Sequence, residues 1–355
     1  LGSGAPRFFL PLDVIFPNSN VAQIVITPSD RKYRDNILEE IRLLTNKLLP
    51  EARVRLKVLP NGPPIPYPVS FRLVSENEED LFYAAGYYAA RDRLFQMSIV
   101  NFSVRGELSS ALGDELIDSD IYLRTWRIHD TAKKLVGELD PQTVELINAF
   151  CAGINYRIQE TYNDLPIEFK LLQIKPPVWN PSIITGYARM MAREMSSSWK
   201  PEIVYGAIEN YFGKEKLKEI YPYYSDDHPT IASASFKNKI LSNIMNQELF
   251  LEDLLGYNSS VSGSNNWVIS GARTKSGKPL LANDPHLKFT QPPRWYEMHL
   301  KGGRFNVSGL CLAGIPMPII GQNEHIAWGL TNSMVDDMDF FIETINSKNR
   351  NQYLY

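Results

Sequence analysis

Cysteine is almost missing from this chain: Cys151 and Cys311 are the only two in 355 residues, too few for a disulfide framework or a cysteine-rich metal knuckle. Each lies in an apolar run, so both are expected as small buried hydrophobes. An excess of one charge is missing too. With 37 Lys+Arg against 40 Asp+Glu the net charge is −3, without a long single-sign block, so the chain has no field that would gather nucleic acid or an acidic membrane. No apolar run approaches the roughly 20 residues of a membrane-spanning helix. The start, Leu1-Gly2-Ser3-Gly4, has neither the basic nor the apolar region of a signal peptide. The expectation is a soluble chain with no nucleic-acid partner, no membrane span and no export signal. Internal repeats, low-complexity tracts and a Gly-x-Ser-x-Gly nucleophile elbow are also lacking.

What is present is an ordinary globular balance, 44% hydrophobic and 22% charged, on a chain long enough for two or more domains. Val21 to Thr27 is β-rich, and Tyr33, Ile37, Ile41, Leu44 and Leu48 recur at helical spacing after a Ser29/Asp30 cap. Val54, Leu56 and Val58 then alternate with Arg53, Arg55 and Lys57, as in a strand with one wet face. This strand-helix-strand order predicts half of a small open α/β sandwich, followed after a proline-rich break by a β-like run from Pro68 to Val74. Helix then takes over. Ser75 with Glu78, or Asn77 with Asp80, caps a helix with an acidic first turn, its apolar positions running from Leu81 to Phe102. Asp140 caps a second, with Pro141 at its first position and Val144, Ile147, Cys151, Ile154 and Ile158 as its buried stripe. Two more are expected over Ile183 to Met195 and Glu202 to Phe212, the last closed by Gly213. From Asn258 strands replace helices: a Ser/Gly loop, Asn266 to Ser270, a turn at Thr274 to Lys278, Pro279 to Ala282, and short β-like segments from Phe305 to Ile342.

On pattern alone the chemistry stays open. Ser259 to Ser264 is a Ser/Gly linker before a strand, and an isolated histidine such as His286 is ordinarily packed or on the surface. Asp336, Asp337 and Asp339 concentrate hard oxygen ligands, which suit calcium better than zinc, or else form a solvated acidic turn. Met190, Met191 and Met195 fall at helical spacing, as core residues or as the wall of an apolar pocket.

Two resemblances sharpen this reading. Gly4-Ala5-Pro6-Arg7-Phe8-Phe9-Leu10-Pro11, Val21-Ala22-Gln23-Ile24-Val25-Ile26, Gly62-Pro63-Pro64 and Tyr67-Pro68-Val69-Ser70-Phe71-Arg72 resemble part of the periplasmic porter region of resistance-nodulation-division efflux pumps, from about residue 2 to about 75. Such pumps need transmembrane helices, so export is not implied. From Glu76 to Tyr355 the chain is similar to the penicillin amidase family. Its opening helices match Asn77-Glu78-Glu79-Asp80-Leu81-Phe82-Tyr83-Ala84-Ala85-Gly86-Tyr87, Asp92-Arg93-Leu94-Phe95-Gln96-Met97 and Arg105-Gly106-Glu107-Leu108. Its catalytic chain begins like Gly263-Ser264-Asn265-Asn266-Trp267, Asn283-Asp284-Pro285-His286-Leu287, Gly321-Gln322-Asn323-Glu324-His325-Ile326-Ala327-Trp328-Gly329 and Asp336-Asp337-Met338-Asp339.

The second resemblance implies an α+β fold: a partial N-terminal-nucleophile αββα sandwich with a helical N-terminal region, preceded by a βαβ ferredoxin-like half-domain. Its segments are 1–75 (porter-like), 76–263 (helical, with a spacer before the cleavage site) and 264–355 (start of the catalytic chain). It implies self-cleavage between Gly263 and Ser264, freeing a serine whose own α-amine, with a pKa of roughly 7.7 to 8, acts as base. His286 is implied as an orienting residue, through backbone or ring, and the backbone N–H of Asn332 as one oxyanion donor, the second lying in the family beyond the equivalent of Tyr355. Glu202, Asp336, Asp339 and the carbonyl of Met338 are implied as calcium ligands, and Met191, Met195 and Leu287 as part of an apolar acyl pocket. The implied activity is hydrolysis of a linear amide with a neutral acyl group, by a periplasmic or extracellular heterodimer of the chain's own cleavage products. With the family's later catalytic residues outside the sequence, weak turnover and dependence on a further C-terminal chain are expected. The alternatives are an inactive or unprocessed fragment or fusion, and a porter-domain adaptor without catalysis.

Overall fold

A computed structural model of the chain describes residues 26, 28–48, 54, 56, 73–220, 238–256, 263–288, 290–333, 335, 337–338, 344–349 and 351–354. It divides into two units, Leu1–Phe71 and Arg72–Tyr355. In the first, Asp30 accepts from the Lys32 N–H at 3.0 Å and opens a short 3-10 turn into helix α1, Arg34–Leu48, where the periodicity predicts it. Ile26, Val54 and Leu56 carry no strand, and the rest of both expected strands lies outside the described residues.

The second unit starts with strand β1, Leu73–Val74, and helix α2, Glu78–Arg105. Of the two possible caps, Asn77 is the one used: its side chain accepts from the Glu79 N–H at 2.9 Å. Gly106, at φ 61, closes the helix, since its left-handed backbone turns the last amides back onto the carbonyls of Phe102 and Ser103. Three short helices unexpected from the sequence follow, α3 Ser109–Leu112, α4 Ile117–Thr125 and α5 Ile128–Val136. Helix α6, Pro141–Glu160, begins as the sequence predicts, with Asp140 accepting from the Thr143 N–H at 2.9 Å and its hydroxyl at 2.6 Å. Then come α7 Ile167–Leu172, α8 Pro181–Met195, α9 Trp199–Phe212, α10 Lys214–Ile220 and α11 Asn238–Leu255.

Helices α2 and α6 approach backbone to backbone. A Cβ on Gly86 would sit 2.0 Å from the Phe150 carbonyl oxygen, and one on Gly153 1.9 Å from that of Tyr83, so only glycine permits this spacing. Around the crossing Leu81, Met97, Phe150, Ile154 and Ile183 are buried, together with Cys151. Both thiols are free, and burial pushes each up to about 12, the behaviour of inert apolar side chains.

Strands β2 Gly263–Ile269 and β3 Leu280–His286 pair antiparallel as a hairpin. Next, β4 Trp295–Gly302, β5 Phe305–Leu312, β6 Ile320–Gln322 and β7 Ala327–Trp328 join β1 in a five-stranded sheet of order β1-β4-β5-β6-β7, parallel only at β1-β4. A last pair is β8 Thr344–Ile345 with β9 Tyr353–Leu354. One face of β4 and β5 supplies Leu300, Val307 and Cys311 to the same core as the helices, making a mixed helix-and-sheet unit. Among the described residues no helix is long and apolar enough to cross a membrane.

Candidate functional site

Ser264 is the second residue of β2, and its Oγ donates to the carbonyl oxygen of Gly263 at 2.7 Å. The hydroxyl therefore lies against the peptide bond whose cleavage the resemblance implies. Cross-strand register pairs Gly263 with His286, Ser264 with Pro285, Asn265 with Asp284 and Asn266 with Asn283. Because side chains alternate between faces and directly paired residues share a face, Ser264 shares one face with Asn283. The opposite face carries His286, and there Nε2 of the ring contacts Asp284 at 2.9 Å and Asn265 at 3.3 Å. His286 thus meets Gly263 both through the paired backbone and through its ring, whose Nδ1 would lie 3.3 Å from a Cβ on Gly263.

The Ser264 face is met by the segment from Gly329 to Asn332. The Asn283 amide nitrogen donates to Leu330 O at 3.0 Å, and its oxygen accepts from Leu330 N at 3.0 Å. The Thr331 hydroxyl donates to the Ser264 carbonyl at 3.2 Å, and the Asn332 side chain donates to Met195 O at 2.6 Å. The Ser264 strand, the expected oxyanion segment and the C-terminal end of α8 are thus tied into one cluster. Of the expected acyl-pocket residues, Met191 and Met195 are half-buried on α8 and Leu287 is half-buried just past β3, whereas Met190 is core.

The turn between α8 and α9 reaches the expected metal segment. Ser196 and Ser198 hydroxyls donate to the two carboxylate oxygens of Asp337 at 2.8 and 3.2 Å, which places 337–338 beside the start of α9, whose first turn carries half-buried Glu202. The donors offered there are oxygens, as a hard cation requires. Asp336 and Asp339 lie outside the described residues, and among the described residues no cluster of three His, Cys, Asp or Glu could hold a metal.

Behind α8 lies a charged network that sequence reading missed. Arg193 donates twice to Glu248 of α11, at 2.7 and 2.8 Å, with both side chains at most 4% exposed. The Tyr122 hydroxyl donates to the same carboxylate at 3.0 Å, Lys200 bonds Glu252, and Glu194 pairs with Arg294 at 2.7 Å. Burial raises the Glu194 carboxyl above its usual range, and Arg294 opposes that shift. The available signal was Glu248 and Glu252 spaced i,i+4 inside an apolar helix, which buries both acids on one side. Two open clefts, one lined by Ala90, Arg91 and Arg157, the other by Tyr162, Phe169 and Lys170, include none of these residues.

A family model described as penicillin amidase matches residues 72–355. Acyl-homoserine lactone acylase QuiP of Pseudomonas fluorescens (strain Pf0-1) is 27% identical over 281 residues, covering 76% of this chain and 34% of that protein. Penicillin acylase 2 proenzyme of Pseudomonas sp. (strain SE83) is 27% identical over 276 residues, 76% of this chain and 36% of its own. Penicillin G acylase of Escherichia coli is 23% identical over 334 residues, 78% of this chain and 39% of its own. The chain thus spans a little over a third of the length of these relatives. The efflux-pump likeness of residues 2–75 gains no support from them.

Proposed function

From the premise that this chain belongs to the penicillin amidase family, we propose that it hydrolyses a linear amide through an acyl-enzyme on Ser264, after cutting its own Gly263–Ser264 bond. The observation that carries this reading is the Ser264 hydroxyl lying 2.7 Å from the Gly263 carbonyl oxygen, with the Gly329 to Asn332 segment tied onto the same strand face. In the first step Oγ turns from that oxygen to the carbonyl carbon and attacks it. The C–N bond breaks, the Gly263 acyl group moves to Oγ as an ester, and the nitrogen takes up the proton that Oγ gives up and leaves as the Ser264 α-amine. Water then hydrolyses the ester, giving a Gly263 carboxylate and a free N-terminal serine.

In the turnover that follows, the α-amine takes the hydroxyl proton as Oγ attacks the substrate carbonyl, then passes it to the leaving amine. The backbone N–H of Asn332 stabilises the oxyanion, a role worth on the order of a hundred- to a thousandfold in rate per donor. His286, paired opposite Gly263, holds the freed amine through its backbone or its ring. Met191, Met195 and Leu287 line an apolar acyl site, in keeping with relatives named for penicillin and acyl-homoserine lactone. Glu202, Asp336, Asp339 and the Met338 carbonyl would hold calcium, which would supply a structural crosslink. The proposal includes an αββα layering of the catalytic sheets, a heterodimer of the cleavage products, in line with a relative named a proenzyme, and a periplasmic or extracellular location.

The test is hydrolysis of chromogenic phenylacetyl and medium-chain acyl anilides by the chain and by Ser264→Ala. Release of the aniline that vanishes in the variant is expected. Equal release by both proteins would remove Ser264 from the chemistry.

A further inference from the structure

Resting on the reading of Ser264 as nucleophile, we propose that Asn283 is a positioning residue that sets the oxyanion segment against the nucleophile strand. The Asn283 amide makes three hydrogen bonds: nitrogen to Asn265 O at 2.9 Å and to Leu330 O at 3.0 Å, and oxygen from Leu330 N at 3.0 Å. Both of its N–H donors are used. The partners themselves fix which way the amide faces, because two carbonyls require its nitrogen and one N–H requires its oxygen.

A side-chain amide has the donor and acceptor of a peptide group, so Asn283 pairs with Leu330 as a neighbouring strand would. Two-point pairing fixes how the Leu330 peptide is turned as well as where it sits. Leu330 is two residues before Asn332, so the direction of the Asn332 N–H is inherited through one intervening residue. The bond to Asn265 O anchors the same amide to the residue after Ser264. Nucleophile strand and oxyanion segment therefore share a single side chain as their common reference.

Gly329 carries an independent sign of this contact. A Cβ there would lie 2.7 Å from the Asn283 Cβ and 2.8 Å from its Cγ and Oδ1, so the segment sits closer to Asn283 than any residue with a side chain allows. Thr331 to Ser264 O and Asn332 to Met195 O hold the far side of the segment. Of these ties, only Asn283 grips the backbone through both N–H and C=O.

Asn283→Asp tests this with little change of volume, because it turns a carboxylate oxygen toward two carbonyl oxygens. Hydrogen exchange in 329–333 is expected to rise about tenfold while β4–β5 keeps its protection. Ser264-dependent cleavage of the chain is expected to slow about a hundredfold, and in cleaved protein kcat falls while KM holds. Unchanged exchange in 329–333, or a loosened segment with cleavage at the parental rate, would overturn the proposal. If Asn283→Asp also unprotects β4–β5, Gly329→Ala pushes the same segment off Asn283 with the amide intact and must slow cleavage alike, or the proposal fails. A parental chain with no Ser264-dependent cleavage, whose segment still loosens in Asn283→Asp, would instead bring down the reading of Ser264, and the positioning role with it.

Discussion

Glu248 is 2% exposed and faces the doubly bonded guanidinium of Arg193, the hydroxyl of Tyr122 and, at 3.5 Å, the ammonium of Lys200. Replacing it by Gln keeps the shape but leaves the Arg193 guanidinium buried without its carboxylate. Removing one partner of such a buried pair costs about 3–5 kcal/mol, so Glu248→Gln is expected to lose that much stability in denaturant unfolding. A loss below about 1 kcal/mol would mean that water screens the pair. Residues of this kind are hard to read from sequence because their partners are distant: Glu248 is 55 residues from Arg193. Asn283 is likewise 47 residues from Leu330: it opens the matched motif Asn283 to Leu287, yet nothing local names its partner. Ser264, by contrast, stands out through the motif around it, and register alone separates its face from that of the His286 ring.

Among the elements, those with chemical end signals were legible. Asn77 and Asp140 cap α2 and α6 where the sequence reads a cap, a side-chain oxygen meeting the first free amides of an apolar-periodic run. Helix α8, by contrast, starts at Pro181 behind an Asn180 cap that the expected start at Ile183 left out. Strand β4 was missed although it alternates, with Met298 and Leu300 buried between Glu297 and Lys301. The hairpin began three residues earlier than expected, at Gly263, because ladder pairing reaches into the Ser/Gly stretch that composition assigns to a loop. The junction of α8 and α9 carries the element-scale prediction. Ser196 and Ser198 already tie 337–338 to the start of α9, and a calcium bridging Glu202 to Asp336 and Asp339 would bind the folded state and stabilise it in proportion to free ion. Calcium is expected to raise the melting temperature and chelator to reverse the rise. A melting curve indifferent to both would exclude a structural calcium here.

For the whole molecule, the division at Phe71 separates a unit outside the family match from the unit that carries it. Within the second unit, helix-rich sequence ends with α11, and β2 opens at Gly263. That change of character was legible in composition, whereas the ion-paired anchoring of α11 behind α8 was not. The two features together anchor α11, which ends at Leu255, and open the Ser264 strand at Gly263. Self-cleavage there is the central claim. Intact mass and N-terminal sequencing of the purified chain, beside a Ser264→Ala control, test it most directly. The account predicts a new N-terminus at Ser264 and a fragment of residues 264–355 in the parental protein, with the control uncut. A parental chain that stays whole, or a control cut at the same bond, would contradict it.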